Sequence, residues 1–409
     1  MNKKKILNDP LYGFVTIPNE LIFDIIQHPY FQRLRRIKQL GVAETVYPGA
    51  IHTRFQHAIG AMHLMEKALD SLISKGVEIS EEEYEAGLIA VLLHDLGHGP
   101  FSHALEYSLL QGIQHESLSF LLMKELNRDL DNRLSTALKI FQNTYPKRFL
   151  HQLVSSQLDV DRMDYLQRDS FFTGVSEGRI GVERILDMLN VVDDEVVVEE
   201  KGIYSIENFL NSRRLMYWQV YLHKTSLGAE RMLINLINRA KKLAESGVDV
   251  QGSDNLQLFL RNNYSLIDFQ QNGELLQAFG NLDDHDITGA IKFWVNHKDK
   301  VLSSLSELIL SRKLLKIKLN NEPTKKEDIN NIREKISDQF GVLRKDSHYF
   351  MTHGEVSNKG YVSEGQTINI LTKKGNVVDI AQAADLPNIM AISKIVKKYY
   401  LGYPKTLLL

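Results

Sequence analysis

Leu88-Ile89-Ala90-Val91-Leu92-Leu93-His94-Asp95-Leu96-Gly97-His98-Gly99-Pro100 opens with six apolar residues and ends in two glycines and a proline. So short an apolar run reads as a buried helix, which gives out where Gly97, Gly99 and Pro100 follow. At that end His94 and Asp95 stand side by side, with His98, His103 and His115 close behind. An imidazole and a carboxylate so placed can grip a hard or borderline divalent cation, although adjacent His and Asp also serve as capping or ion-pair residues. Seven of the fourteen histidines fall between His52 and His115. Chance scatter explains that clustering poorly, so the chain reads as a metallohydrolase.

Composition narrows the alternatives. A chain of 409 residues, 43% hydrophobic and 24% charged, is an ordinary globular protein of two or three lobes. Lys+Arg 49 against Asp+Glu 51 leaves no basic field, so nucleic acid is not indicated as a partner. With no cysteine, disulfides and thiolate metal sites are excluded, and a reducing compartment fits. The basic start Met1-Asn2-Lys3-Lys4-Lys5 leads into Ile6-Leu7-Asn8-Asp9-Pro10, which is no signal-peptide core. No run approaches the roughly 18 apolar residues of a membrane span. A cytoplasmic location without membrane contact is expected.

Periodicity predicts a mainly α protein. An extended segment over 13–18 precedes a helix opened by Asn19 and Glu20, and a second helix carries Phe31, Leu34, Ile37 and Leu40 until Gly41 ends it. Further helices are expected over 55–74 and 82–93, from Pro100 to Leu110, and at about 115–142, 147–170, 178–190 and 206–246. Residues 191–198 read as a small hairpin. Beyond Asp299 a lysine-rich helix is expected, with Lys313, Lys316, Lys318, Lys325 and Lys326, followed by strands near 349–356 and 367–380. The predicted organisation is a helical catalytic core over 1–285, with its metal site within about 50–170. A smaller C-terminal α/β lobe over 286–409 is assigned a regulatory or oligomerisation role.

A mononuclear hydrolytic site needs three or four ligands and an open position for water or substrate. The candidates are His57 in Arg54-Phe55-Gln56-His57, the pair His94 and Asp95, and one carboxylate from Asp159-Val160-Asp161-Arg162-Met163-Asp164-Tyr165. Such a mixed nitrogen and oxygen set suits Mn, Fe, Zn or Co better than a purely oxygen-liganded Mg site.

These stretches resemble the HD-superfamily phosphohydrolases, and within them the deoxynucleoside triphosphate (dNTP) triphosphohydrolases of the SAM- and HD-domain type. The resemblance is dense from Asn8 to about Lys224. It rests on Asp9-Pro10-Leu11-Tyr12-Gly13, on Phe31-Gln32-Arg33-Leu34-Arg35 continuing to Ile37-Lys38-Gln39-Leu40-Gly41, and on Pro48-Gly49-Ala50 leading to Arg54-Phe55-Gln56-His57. It extends through His94-Asp95-Leu96-Gly97-His98-Gly99-Pro100-Phe101-Ser102-His103 and the Asp159 to Tyr165 run. The resemblance implies that His57, His94, Asp95 and Asp161 bind one divalent ion (Mn, Fe, Zn, Co or Mg), with a further Mg accompanying the triphosphate. It implies hydrolysis at the α-phosphorus, with His98, His103, Glu106 and His115 around the scissile phosphate. The leaving 5′-oxygen needs a proton donor, for which His115 or His103 is favoured, Glu106 orienting an imidazole. Alternatively, His103 starts a helix and His115-Glu116 caps one.

By the same resemblance Arg54, Arg162, Arg213 and Lys224 hold phosphates with Tyr165 alongside, though Arg162 and Arg168 could instead pair with carboxylates across helical turns. Gln39 and Asp169 are assigned the 3′-hydroxyl, Tyr221 packs the sugar and Leu40 lies under the base. Relatives of this type are nucleotide-activated tetramers. Lys5, Asn8, Gln32 and Arg35 match their activator site, with Arg312 and Lys316 as the C-terminal share. Gln27 stands where those relatives carry an acid, so the expected activator is a nucleotide that need not be a guanine one, with a deoxyadenine nucleotide the alternative that an amide suits. Leu222 replaces their base-contacting glutamine, and a sterile alpha motif ahead of the catalytic pattern is not expected. The competing readings are another HD nucleotidase or phosphodiesterase, and a nucleotide-sensing regulator with little turnover.

Overall fold

The computed structural model describes residues 5–110, 112–358, 367–385 and 396–407. Six helices build the centre. Helix α1 (Arg54–Ser74) opens on a capping box between Thr53 and Gln56, and α2 (Glu81–Leu93) on one between Ser80 and Glu83 with three acids in its first turn. Every residue of α2 from Ala86 to Leu93 is buried, as its unbroken apolar run requires. Helix α3 is His115–Asp129 and α4 is Val160–Thr173, whose first turn is capped by the Asp159 side chain and whose end turns through left-handed Gly174. Helix α5 (Ile203–Met216) runs into a π-helical turn at Tyr217–Tyr221, followed by α6 (Lys224–Glu245). Helix α1 packs against both α2 and α4, so the C-terminal end of α2 and the first turns of α1 and α4 converge.

Strands lie around this bundle. β1 (Lys5–Asp9) pairs antiparallel with β2 (Gly13–Ile17). β3 (Leu189–Val192) and β4 (Glu195–Glu199) form a hairpin around Asp193 and Asp194, both left-handed at φ 50° and 62°, as a two-residue hairpin turn demands. Five more strands come from the last third: β5 (Leu315–Asn320), β6 (Thr352–Asn358), β7 (Asn369–Leu371), β8 (Val377–Asp379) and β9 (Val396–Pro404). β7 runs parallel to β4 in a sheet of order β3-β4-β7-β8, while β9 is flanked by β5 and β6. Ile370, Leu401 and Tyr403 share the large hydrophobic core of the helices. A smaller cluster joins Leu227 and Met232 of α6 to Leu315, Ile317 and Tyr400.

The chain is mainly helical, as predicted, and the hairpin over 191–198 is present. Four expectations are corrected. The helical turns after Pro29 stop at Arg36 instead of Gly41, because Ile37 turns extended and Lys38 bridges to Thr53. Pro100 does not begin a helix to Leu110: Phe101 and Ser102 are left-handed and only His103–Glu106 is helical. The long helices expected over 115–142, 147–170 and 206–246 are each broken, at left-handed Asp131-Asn132, at the Asp159 cap and at the π-helical turn Tyr217–Tyr221. Lys316 and Lys318 lie on strand β5, not on a helix, with Leu315 and Ile317 buried and the two lysines exposed in strict alternation. Among the described residues no helix is long and apolar enough to cross a membrane.

Candidate active site

Helix ends deliver the four side chains expected to hold a metal. His57 comes from the first turn of α1, His94 caps the end of α2 with Asp95 next to it, and Asp161 lies in the first turn of α4. Asp161 Oδ1 is 3.0 Å from His57 Nε2 and 3.4 Å from His94 Nε2. Asp95 completes the set, 3.6 Å from His57 Nε2 and 3.3 Å from His94 Nε2. Both Nε2 atoms are buried without a hydrogen-bond partner. Their opposite nitrogens are occupied: His57 Nδ1 bonds Asp164 at 2.7 Å, and His94 Nδ1 donates to the Val91 carbonyl at 2.6 Å. A carbonyl only accepts, so neutral His94 carries its lone pair on Nε2, aimed at the carboxylates. The two orphaned imidazole nitrogens with Asp161 form one group that fits a divalent cation, and Asp95 also belongs to a second such group with His98 and His115.

Electrostatics agree with that fit. Burial alone would lower the pKa of both rings, but Asp161 and Asp164 outweigh it at His57, raising it to about 10, and Asp95 and Asp161 raise His94 to about 9. Burial would raise Asp161 and Asp95, yet His57 and His94 pull Asp161 down, and His94, Arg54 and His98 pull Asp95 down. The cluster therefore draws positive charge into itself. Behind it, Asp164 is gripped by Arg168 through two bonds of 2.9 Å, and Arg168 reaches Asp9 of β1 at 2.8 Å. The pairing of Arg168 across a helical turn is thus observed. Gly60 of α1 leaves room for it, since a Cβ there would sit 2.1 Å from both Arg168 Nη2 and Asp164 Oδ1.

Beside the donors opens a cleft of about 570 Å³. Its lining includes the charged and imidazole groups Arg54, His94, Asp95, His98, His115, Asp161 and Arg162 as well as Gln39, Leu40, Tyr165, Asp169, Tyr217 and Tyr221. Arg54 donates to Asp95 and, at 2.9 Å, to Ser102 Oγ. His115 Nδ1 lies 3.1 Å from Glu106, whose carboxylate also accepts the His115 backbone N–H at 2.8 Å. The His98 and His115 rings overlap with centroids 3.8 Å apart. Burial and the Arg54 guanidinium hold His98 well below its ordinary pKa, so it is neutral at pH 7.

Residues 54–169 match the family described as HD domain, and 180–262 the HD associated region. YwfO of Bacillus subtilis is 32% identical over 421 residues, covering 100% of this chain and 94% of its own length. This chain belongs to the HD-domain family. HD proteins of this kind are metal-dependent phosphohydrolases. A solved phosphohydrolase from Bacteroides thetaiotaomicron superposes with a TM-score of 0.95 at 51% identity, over 98% of this chain and 100% of the other. The deoxynucleoside triphosphate triphosphohydrolase SAMHD1 homolog of Dictyostelium discoideum is 34% identical over 255 residues, covering 58% of this chain and 49% of its own length.

The HD helices also locate the remaining sequence candidates. Arg162 Nε donates to the Ser156 carbonyl at 2.6 Å and lies 3.3 Å from Asp159, so it is both paired and at the cleft. Arg213 is buried, with Nε and Nη1 lacking a hydrogen-bond partner, and is not among the described cleft-lining residues. Lys224 starts α6 and is not among the described cleft-lining residues. His103 begins the short helix, but its side chain lies outside the described residues. Asn8 and Arg35 share a separate recess of about 320 Å³, where Arg35 stacks 3.5 Å over Phe55 and donates to Gln32 at 2.9 Å. Lys5 sits over Phe23, Gln27 is exposed at a helix end, Arg312 donates to the Thr45 carbonyl at 2.8 Å, and Lys316 is exposed on β5.

Sequence reasoning missed three groups. Asp164 stood in the quoted motif as a candidate carboxylate and a pairing partner for Arg162 or Arg168, not as the group that locks His57. His52 bonds Asp169 at 2.7 Å and stacks on Phe172 at 4.5 Å, while Tyr221 donates to the other Asp169 oxygen at 2.8 Å. His52 was counted in the histidine cluster, and its spacing from Asp169 gave no local sign of contact. Arg33, 1% exposed, donates to the carbonyls of Leu96 at 3.2 Å and His98 at 2.7 Å, which fixes the HD loop.

Proposed function

We propose that the protein hydrolyses deoxynucleoside triphosphates at the α-phosphorus, releasing a deoxynucleoside and inorganic triphosphate. The supporting observation is a single cleft of about 570 Å³ lined both by His94, Asp95 and Asp161 and by Tyr165, Tyr217 and Tyr221, with Tyr221 bonded to Asp169. In this reading His57, His94, Asp95 and Asp161 hold one divalent ion (Mn, Fe, Zn, Co or Mg), which when bound polarises phosphate oxygen and lowers the pKa of water. Water oxygen bonds to the α-phosphorus, the bond to O5′ breaks, and a proton must reach O5′. His115, oriented by Glu106 and overlapping neutral His98, supplies it, with His103 the other candidate donor.

Arg54 and Arg162, with Arg213 and Lys224 behind, neutralise the polyphosphate, and Tyr165 lines its path. Arg213 Nε and Nη1, buried without a hydrogen-bond partner, suit an anion. Asp169 receives Tyr221 on one oxygen and His52 on the other, which fixes the carboxylate while leaving lone pairs for a 3′-hydroxyl. Gln39 joins it there, its buried Oε1 having no partner, and Leu40 supports the base. Tyr221 and Tyr217 wall the sugar, with ring centroids 5.1 Å apart. The same reading makes the enzyme a nucleotide-activated homotetramer. Asn8 and Arg35 form the heart of the activator site, and Lys5, Gln27, Gln32, Arg312 and Lys316 belong to it. Two domains, 1–285 and 286–409, divide catalysis from regulation.

The test is phosphorus NMR of pure protein with Mn²⁺ and each dNTP, with and without other nucleotides. Triphosphate as the first product is expected. Orthophosphate or pyrophosphate appearing first would refute the reaction, and rates indifferent to added nucleotide would refute the activation.

A further inference from the structure

One carboxylate beyond both matched regions ties together two parts of the cleft that are remote in the chain. Asp284 opens the helix Asp284–Trp294 and is 3% exposed. One oxygen accepts the backbone N–H of Lys38 at 2.9 Å, and the other that of Phe101 at 2.7 Å. Lys38 leads directly into Gln39 and Leu40 at the cleft. Phe101 leads into Ser102, whose hydroxyl accepts from Arg54 at 2.9 Å and donates to the Lys38 carbonyl at 3.2 Å. Phe101 and Ser102 are consecutive non-glycine residues at φ 54° and 56°, a conformation that persists only where surroundings impose it.

The residues before Asp284 repeat the connection. Asp283 accepts from Arg36, and the Leu282 carbonyl accepts from Arg33 at 2.5 Å. Segment 282–284 therefore grips residues 33–38 from one side, while Arg33 and Asp284 between them hold Leu96, His98 and Phe101 on the HD loop.

We propose that Asp284 is a positioning residue: it sets the spacing between the sugar-facing segment 38–40 and the turn that seats Arg54, and through that spacing the preference for deoxyribose over ribose triphosphates. The inference rests on the reaction proposed above. A carboxylate satisfies both N–H groups because both its oxygens accept, whereas an amide offers one acceptor and turns an NH₂ group towards the other donor. Losing either bond lets the strained turn relax and uncouples Arg54 from segment 38–40. A misplacement of about 1 Å at a reacting centre costs on the order of 100-fold in rate. The sugar contacts shift relative to the phosphate contacts, so deoxyribose and ribose substrates are affected unequally.

The experiment compares parent and Asp284→Asn with Mn²⁺, measuring kcat/KM for a dNTP and its ribonucleotide, bound Mn by atomic absorption, and folding by circular dichroism. Bound Mn should match the parent, kcat/KM for the dNTP should fall at least about tenfold, and the deoxy-to-ribo ratio should fall with it. Sodium formate should restore the ratio in Asp284→Gly by replacing the missing carboxylate. A parental ratio, with activity lost only in proportion to folded protein, overturns the proposal. If neither variant folds, residue-resolved hydrogen exchange of the parent decides: slow Lys38 and Phe101 amides support the tie, and open-chain rates overturn it. A parent that turns over no dNTP refutes the proposed function instead, and the amide exchange still tests the tie.

Discussion

Arg168→Met removes the cation from a triad that water does not reach. Arg168 and Asp164 have side chains 0% exposed and Asp9 4%, and Arg168 makes bonds of 2.9, 2.9 and 2.8 Å to the two carboxylates. Methionine fills much of the volume but leaves two carboxylates buried without their countercharge. Deleting one partner of such a pair costs about 3–5 kcal/mol, a large share of a total stability on the order of 5–15 kcal/mol. The loss extends to the metal centre. Asp164 is held below the usual carboxylate range against burial, chiefly by Arg168 with His57 assisting, and without that cation its pKa climbs. A protonated Asp164 no longer orients His57 as a full acceptor, and loss of such a supporting bond weakens metal binding about 10–100-fold. Urea unfolding of parent and variant, stripped with EDTA and then saturated with Mn²⁺, reads the first effect, and calorimetric Mn²⁺ titration the second. Adding Asp9→Asn and Asp164→Asn to the variant should recover part of the stability, because the unpaired charges go, but none of the metal affinity. Arg168→Met unfolding within about 1 kcal/mol of the parent and binding Mn²⁺ as tightly would refute the reasoning.

Four further outcomes are expected. Asp161→Asn should abolish turnover and lower Mn²⁺ affinity while leaving the fold intact by circular dichroism; retained Mn²⁺ would contradict its place among the donors. Gly97→Ala should destabilise by more than about 2 kcal/mol in urea, since a Cβ there would lie 2.1 Å from the Ser119 amide nitrogen and 2.3 Å from the His115 carbonyl, and backbone cannot move aside. Tyr221→Phe removes the hydroxyl that donates to Asp169 at 2.8 Å, so the advantage of a dNTP over its 3′-deoxy analogue should shrink about tenfold in kcat/KM; an unchanged ratio argues against Asp169 as the hydroxyl acceptor. Burial raises Asp284 from 3.8 to about 6, so its contribution to stability is fully present below its unfolded value and is lost as pH rises through about 6. Between pH 7 and pH 5 the parent should therefore gain about 1 kcal/mol over Asp284→Asn in urea unfolding, and a constant difference would show the carboxyl to be solvated.

Much of the centre was legible because its signals are local. The apolar run of α2 foretells a helix buried all round, and the helix expected over 82–93 begins within a residue of its observed start at Glu81. His57, His94 and Asp161 come together because each stands within a turn of a helix end, where sequence spacing translates directly into position. Failures fall where distant bonds override local preference. Lys38 falls within the helical spacing of Phe31, Leu34, Ile37 and Leu40, but its N–H goes to Asp284, 246 residues away, and Gln39 bonds the His52 carbonyl instead of continuing a helix. Pro100 suits a helix start, yet the same carboxylate captures Phe101 from 183 residues away and holds the turn open. At β5 the error was one of period: Leu315, Lys316, Ile317 and Lys318 alternate in twos, and lysine content was allowed to outweigh that alternation.

The parallel pairing of β4 with β7 has a consequence for synthesis on the ribosome. Val197 meets Asn369, and Glu199 meets Leu371, so about 170 residues must be translated before that edge of the hairpin is covered. At 5–20 residues per second the interval is on the order of 10 s, far longer than a hairpin needs to form. Throughout it the nascent chain presents a bare β-edge, a template for wrong partners, which makes the last third of the polypeptide a built-in guard against aggregation of the first two.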